Sequence, residues 1–283
     1  MISLNRNGEG ELVAASGIRT RRSSIYVPGQ TECFRISRSK FSDFLMCQRC
    51  FYLDRVKGLK SPSMPGWSLN AMTDTLLKKE FDLCREQQKA HRLFGEYGLE
   101  NVVPFKHAEI DNWRDSLHHG LQYQVEGTNI ILHGGVDDVW HDLQADQVII
   151  VDYKSQASSG SVTEKDYLSH SYHQSYKVQM DVYAYLMEKM GFDVSKACYF
   201  YVCNADGSVP SFDGKMKFTE TLVRYFWDTS WLEKNLSEMI AVLNSRELPD
   251  RNPSCENCAY AFERAQAEGR VKGVDATWSL RGS

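Results

Sequence analysis

Val148-Ile149-Ile150-Val151-Asp152-Tyr153-Lys154-Ser155 is the stretch that decides the fold. Four β-branched residues in a row predict a strand buried on both faces. Such a strand should not end in Asp and Lys, because burying charge is costly unless the charge is paired or holds a metal. Side chains alternate along a strand, so Asp152 and Lys154 share one face. Upstream lies a second acidic segment, Gly134-Gly135-Val136-Asp137-Asp138-Val139-Trp140. The polar run Asp142-Leu143-Gln144-Ala145-Asp146 falls midway between Asp137 and Asp152. A near-symmetric hairpin would set those two carboxylates opposite each other, with β-carbons about 4.5–5.5 Å apart. Like charges that close call for a cation, and a hard divalent metal is the natural one. Asp138 falls on the other strand face and reads as structural or substrate-facing.

Downstream, Gln179 and Tyr183 are spaced i, i+4 and so share a helix face. The ordered set of Gly134-Gly135-Val136-Asp137, Asp152-Tyr153-Lys154 and Gln179-Met180-Asp181-Val182-Tyr183 resembles the PD-(D/E)XK nuclease superfamily, and within it the RecB-like branch. The resemblance spans roughly residues 37–262. It implies an α/β fold, a central mixed β-sheet flanked by helices with a restriction-endonuclease-like core. It also implies Mg²⁺ or Mn²⁺ held by Asp137, Asp152 and the Tyr153 carbonyl, with Lys154 acting on the attacking water or the phosphate charge. Gln179 and Tyr183 would face the site and the DNA backbone. The implied activity is a metal-dependent DNA nuclease, first an exonuclease on single-stranded ends, in repair, recombination or CRISPR-type defence. Two other classes stay open: a non-catalytic nucleic-acid-binding or scaffold protein of the same fold, and a zinc-binding interaction protein with a chance D-x-K.

The family usually carries a metal-binding His on an early helix. The matching helix here has none, and Asp74 stands in its place, with Glu80 as a fallback. A carboxylate can replace imidazole on a hard cation. The eight histidines lack metal-ligand spacing; His118, His119, His170 and His173 read as surface residues.

Two C-x-x-C pairs, Cys47/Cys50 and Cys255/Cys258, could join in a tetrahedral thiolate site. CRISPR-associated RecB-like exonucleases and AddB-type nucleases are similar here, and they imply an iron–sulfur cluster. Those relatives have one Cys before an aromatic stretch and three near the C-terminus, whereas this chain has two and two. Iron–sulfur, Zn²⁺ and plain reduced thiols all remain open.

Composition sets the frame. The chain has 283 residues, 42% hydrophobic and 25% charged, ordinary for a soluble globular protein. No apolar run approaches a membrane span, and residues 1–6 lack a signal-peptide core, so no membrane partner is expected. Eight cysteines without such a signal point to a reducing cytoplasm. The formal net charge is −4, yet residues 19–60 hold ten Lys/Arg against three acids. That segment suits phosphate, and Arg38, Arg49 and Arg55 are its candidate DNA contacts. The expected organisation is a mobile tail at 1–30, a nuclease domain at 31–268 and a C-terminal tail at 269–283. Helices are expected from Ser37 or Ser39, over 69–85, over 171–190 and from Ser230 as the last. Strands are expected over 197–203 and, at an edge, 215–218, with residues 90–125 irregular.

Overall fold

The computed structural model describes residues 4–62 and 66–270. The expected tail at 269–283 thus lies almost wholly outside the described residues. Those residues fall into two compact units.

The first unit comprises residues 31–42 and 66–237. Its centre is a five-stranded mixed sheet in the order β2 (Val102–Pro104), β5 (Asp138–Asp142), β6 (Gln147–Gln156), β7 (Ala197–Ala205), β8 (Phe218–Phe226). The β5–β6 pair is antiparallel, β6 and β7 run parallel, and β7–β8 is antiparallel. A smaller sheet orders β1 (Phe34–Ser37), β4 (Ile130–Gly134) and β3 (Leu121–Gln124). The helices are α1 (Arg38–Met46, which continues past this unit), α3 (Ser68–Gln87), α4 (Ile110–Arg114), α5 (Glu164–Ser169), α6 (Gln174–Lys189) and the first half of α7 (Leu232–Asn244). The fold is therefore α/β, as the sequence implied.

The strand β6 is buried along most of its length because both neighbours pair with it and helices cover both faces. Ile149, Val151 and Tyr153 pack with Leu77 and Phe81 of α3, Trp140 and Tyr201 in the main core. The alternate residues Ile150 and Asp152 look the other way, where Gln179 of α6 reaches Asp152. A two-sided apolar strand with one acid thus divides its faces between packing and chemistry.

The core also holds a charge. Asp138 has no exposure, and it accepts from Arg114 Nη2 at 3.3 Å, from Tyr153 Oη at 2.9 Å and from Arg85. Arg85 comes from α3 and Arg114 from the end of α4, so one carboxylate ties two helices to the hairpin.

Several boundaries differ from expectation. The edge strand lies at Phe218–Phe226, not 215–218, because its pairing with β7 sets it and pairing leaves no local signal. Residues 90–125 hold β2, α4 and β3, elements of three to five residues that are too short for a period to register. The helix near Ser230 is α7, and it is not the last.

The second unit comprises residues 4–30, 43–62 and 238–270, with α2 (Gln48–Arg55) and α8 (Glu256–Ala267). Residues 17–30, within the segment expected to be mobile, are bonded into it. Arg19 N–H donates to Gly58 O at 2.7 Å, Lys60 N–H donates to Gly17 O at 2.7 Å, and buried Tyr26 donates to Asn244 Oδ1 at 3.0 Å. Gly58 sits at φ +71°, and a β-carbon there would meet Ile25 at 2.9 Å.

Asp138→Ala is expected to cost about 3–5 kcal/mol, because it removes the buried carboxylate from two buried guanidiniums that would keep only half-exposed Asp82 as an acidic partner. Urea denaturation checks this, and a midpoint equal to the parent chain would show that the charges are resolvated locally.

Candidate active site

The hairpin delivers the expected pair. Asp138 is registered with Val151, which carries Asp137 opposite Asp152. Asp137 stands just ahead of β5, and its Oδ2 accepts the Tyr153 backbone N–H at 2.7 Å. Asp152 is fully buried. It accepts from Gln179 Nε2 at 2.5 Å and is ion-paired with the Lys154 ammonium. Gln179 also donates to Tyr183 Oη at 3.1 Å, so one amide links both motif positions. Tyr153 joins the two sides of the strand: its backbone serves Asp137 while its phenol serves Asp138.

Burial drives the Lys154 ammonium down to about 8, helped by the Arg38 charge and opposed by Asp137 and Asp74. Asp74, on the first half of α3, feels the same centre. Burial and then the Asp137 charge hold its carboxyl above the usual range, while its ion pair with Lys78 at 3.0 Å pulls the other way. Asp74, Asp137 and Asp152 thus bring negative charge to the region of Lys154, with Lys78 and Arg38 also near, and carboxylates are the donor class that suits a hard divalent cation. Glu80, the fallback, is occupied elsewhere: His91 Nε2 lies 2.8 Å away and Arg92 Nε 2.9 Å away.

Arg38, in the first turn of α1, borders this centre. Ser37 Oγ accepts from the Lys40 N–H at 3.3 Å, which starts the helix where the sequence placed it. A β-carbon on Gly134 would lie 2.7 Å from Tyr183 Cε1 and 3.2 Å from Arg38 Cβ. The glycine before Asp137 is therefore what lets the tyrosine and the arginine close over the strand. Arg49 and Arg55 belong to the second unit and are held by bonds within it. Arg55 is buried and bonded to Asp54 at 3.0 Å, and Arg49 donates to Pro249 O at 3.0 Å. The Arg55 charge is thus matched within the fold, whereas the bond that half-buried Arg49 makes is to a neutral carbonyl.

Sequence reasoning missed Arg85 and Arg114, which match Asp138, and Tyr176, whose ring lies 4.6 Å under Lys154 Nζ. The i, i+3 step from Tyr176 to Gln179 was the available signal for the last.

The second unit gathers its four cysteines. Cys47, Cys50, Cys255 and Cys258 place their sulfurs within 4.8 Å of one another, with Cys47–Cys258 and Cys50–Cys255 at 3.7 Å and Cys50–Cys258 at 3.5 Å. Cys47 precedes α2 and Cys255 precedes α8, so each pair straddles a helix start. Burial opposes ionisation of Cys47, but backbone N–H donors at Cys50 and Asn252 bring its thiol down to about 7.

Gly134→Ala is expected to destabilise the first unit by roughly 1–3 kcal/mol, by overpacking the Tyr183 ring. An unshifted urea midpoint would mean that the ring has room to retreat.

No curated protein matches the chain. A solved structure named "Putative exonuclease", from Eubacterium rectale, is 14% identical, with 86% of this chain and 91% of that chain covered at a TM-score of 0.39. A likeness at that level adds nothing to the assignment. The profile of the PD-(D/E)XK nuclease superfamily matches residues 67–262. That span is most of the chain and includes Asp74, the acidic hairpin and the Gln179–Tyr183 face, and the chain therefore belongs to the PD-(D/E)XK nuclease superfamily.

Proposed function

We propose that this nuclease is a Mg²⁺- or Mn²⁺-dependent deoxyribonuclease of the RecB-like type that trims single-stranded ends. The observation that carries the proposal is the Asp137–Asp152 pairing with Lys154 on the same face and Gln179 bonded to Asp152. Membership of the family makes nucleic acid the substrate and phosphodiester hydrolysis the reaction.

Asp137, Asp152, Asp74 and the Tyr153 carbonyl would hold the cation. When bound, that cation neutralises phosphate charge and acts as a Lewis acid. Lys154 then holds the attacking water in line or answers charge on the phosphorus, since its ammonium is a compact point charge. Gln179 fixes the Asp152 carboxylate, and Tyr183 fixes Gln179. Arg38 meets the flanking phosphate. An acidic body repels DNA, so affinity rests on a few such contacts and falls with salt. The intact Asp137, Asp152 and Lys154 argue against a purely scaffolding role. RecB-like proteins act in DNA repair, recombination and CRISPR-type defence, and the reduced thiols suit a cytoplasmic setting.

A second reading concerns the four cysteines: a resident metal, and zinc rather than an iron–sulfur cluster. Tetrahedral Zn²⁺ with Zn–S bonds of about 2.3 Å needs sulfurs about 3.8 Å apart. Three of the sulfur spacings are 3.5–3.7 Å and all lie within 4.8 Å, which favours one ion. A cluster interposes several iron and sulfide atoms and spreads its thiolates further. No helix among the described residues is long and apolar enough to cross a membrane.

Asp137→Asn and Asp152→Asn are each expected to abolish Mg²⁺-dependent cleavage of labelled single-stranded DNA while keeping a native circular dichroism spectrum. Lys154→Ala should lose roughly 10²–10³ in turnover. Near-parental turnover in Asp152→Asn would sink the assignment. For the cysteines, elemental analysis should find about one zinc per chain, reduced in Cys255→Ser. A brown, iron-loaded protein would instead support the cluster.

A further inference from the structure

The helix face that carries Gln179 and Tyr183 extends past the buried carboxylates. Tyr172, Tyr176, Gln179 and Tyr183 follow one another at steps of four, three and four, the spacing that keeps side chains on one side of a helix. Tyr172 lies in the short 3₁₀ turn Ser171–His173 that leads into α6. The inner two residues are accounted for by their bonds to Asp152 and to each other. Tyr176 comes next outward, its ring beneath the Lys154 ammonium. Tyr172 is outermost, 6.1 Å from Tyr176 at 89° and 70% exposed.

Packing explains the rest of this aromatic group but not Tyr172. His173 lies flat against Tyr176, with centroids 5.2 Å apart at 16°. It is backed in turn by buried Tyr167 at 4.1 Å, whose carbonyl accepts from His173 Nδ1 at 2.9 Å. The Tyr176 ring is thus braced from behind and pinned by a cation in front. Tyr172 leaves a large aromatic surface in water, one ring away from the lysine of the D-x-K strand.

We propose that Tyr172, braced by Tyr176, is a stacking platform for an unpaired nucleobase beside the phosphate addressed by Lys154. The proposal rests on the nuclease reading above and adds the feature that selects single strands. Every base has a π-face, so stacking on tyrosine tolerates any sequence. A base inside a duplex is already stacked on its neighbours and gains nothing from the ring. The platform therefore favours unpaired nucleic acid at the point of cleavage, without reading its sequence.

The test separates binding from cleavage. A fluorescently labelled single-stranded oligodeoxynucleotide is titrated with the full chain in EDTA, and anisotropy gives the affinity. Tyr172→Ala is expected to bind about five- to a hundred-fold more weakly, the range for loss of one base–aromatic stack. Tyr172→Phe and Tyr172→Trp should hold near-parental affinity, while Tyr172→Leu should fall with the alanine variant. Affinity for a blunt duplex should be the same in all five chains. Tyr172 is exposed, so none of these changes disturbs the core. Equal single-strand affinity in the parent and Tyr172→Ala would overturn the platform, and so would an equal loss on duplex or no single-strand binding by the parent. Cleavage is assayed separately with Mg²⁺. A parent chain that binds single strands but never cuts them removes the nuclease reading and leaves the platform standing on the binding data.

Discussion

The carboxylate of Asp138 is wholly removed from solvent, and two guanidinium groups and a phenol hydroxyl answer it. A lone charge in that position would cost several kcal/mol, so the three partners are obligatory rather than decorative. Each comes from a different element: Arg85 from α3, Arg114 from α4 and Tyr153 from β6. Satisfying one acid therefore fixes where two helices lie against the sheet. Tyr153 passes that order on, because its backbone N–H is also the donor that orients Asp137.

On the opposite face the logic is inverted. Asp152 is just as buried, but its partners are one flexible lysine and one amide. The Lys154 ammonium is itself weakened by burial and by the Arg38 charge. Negative charge is crowded there and only partly matched, whereas around Asp138 it is fully matched. The β5–β6 hairpin thus keeps the two acids on opposite faces: Asp138 is registered with Val151, and the next residue, Asp152, points the other way by the two-residue alternation of side chains.

That alternation explains what was legible in the sequence. The apolar run, the D-x-K and the polar turn midway to Asp137 are local signals, and together they place the register correctly. The start of α1 at Ser37 and the i, i+4 face of α6 are local too. What escaped was set by partners far along the chain. β8 is defined by its pairing with β7, and the Arg114–Asp138 contact joins residues 24 apart with no periodic trace. The N-terminal segment reads as polar and aperiodic, yet its backbone pairs with residues 58–60. Arg55 looked available to phosphate because composition reports charge and not its partner Asp54.

The four cysteine sulfurs have a topological consequence. Cys50 and Cys255 stand 205 residues apart in sequence, and the whole five-stranded sheet lies on the chain between them. Any ion bound by all four thiolates closes a ring through that sheet. Closing a ring of this size removes freedom from the unfolded chain worth about 5 kcal/mol in the chain-entropy picture. Such a ring would shift the balance against unfolding of strands that touch none of the cysteines. The stability of the first unit would then depend on thiol chemistry carried by the second.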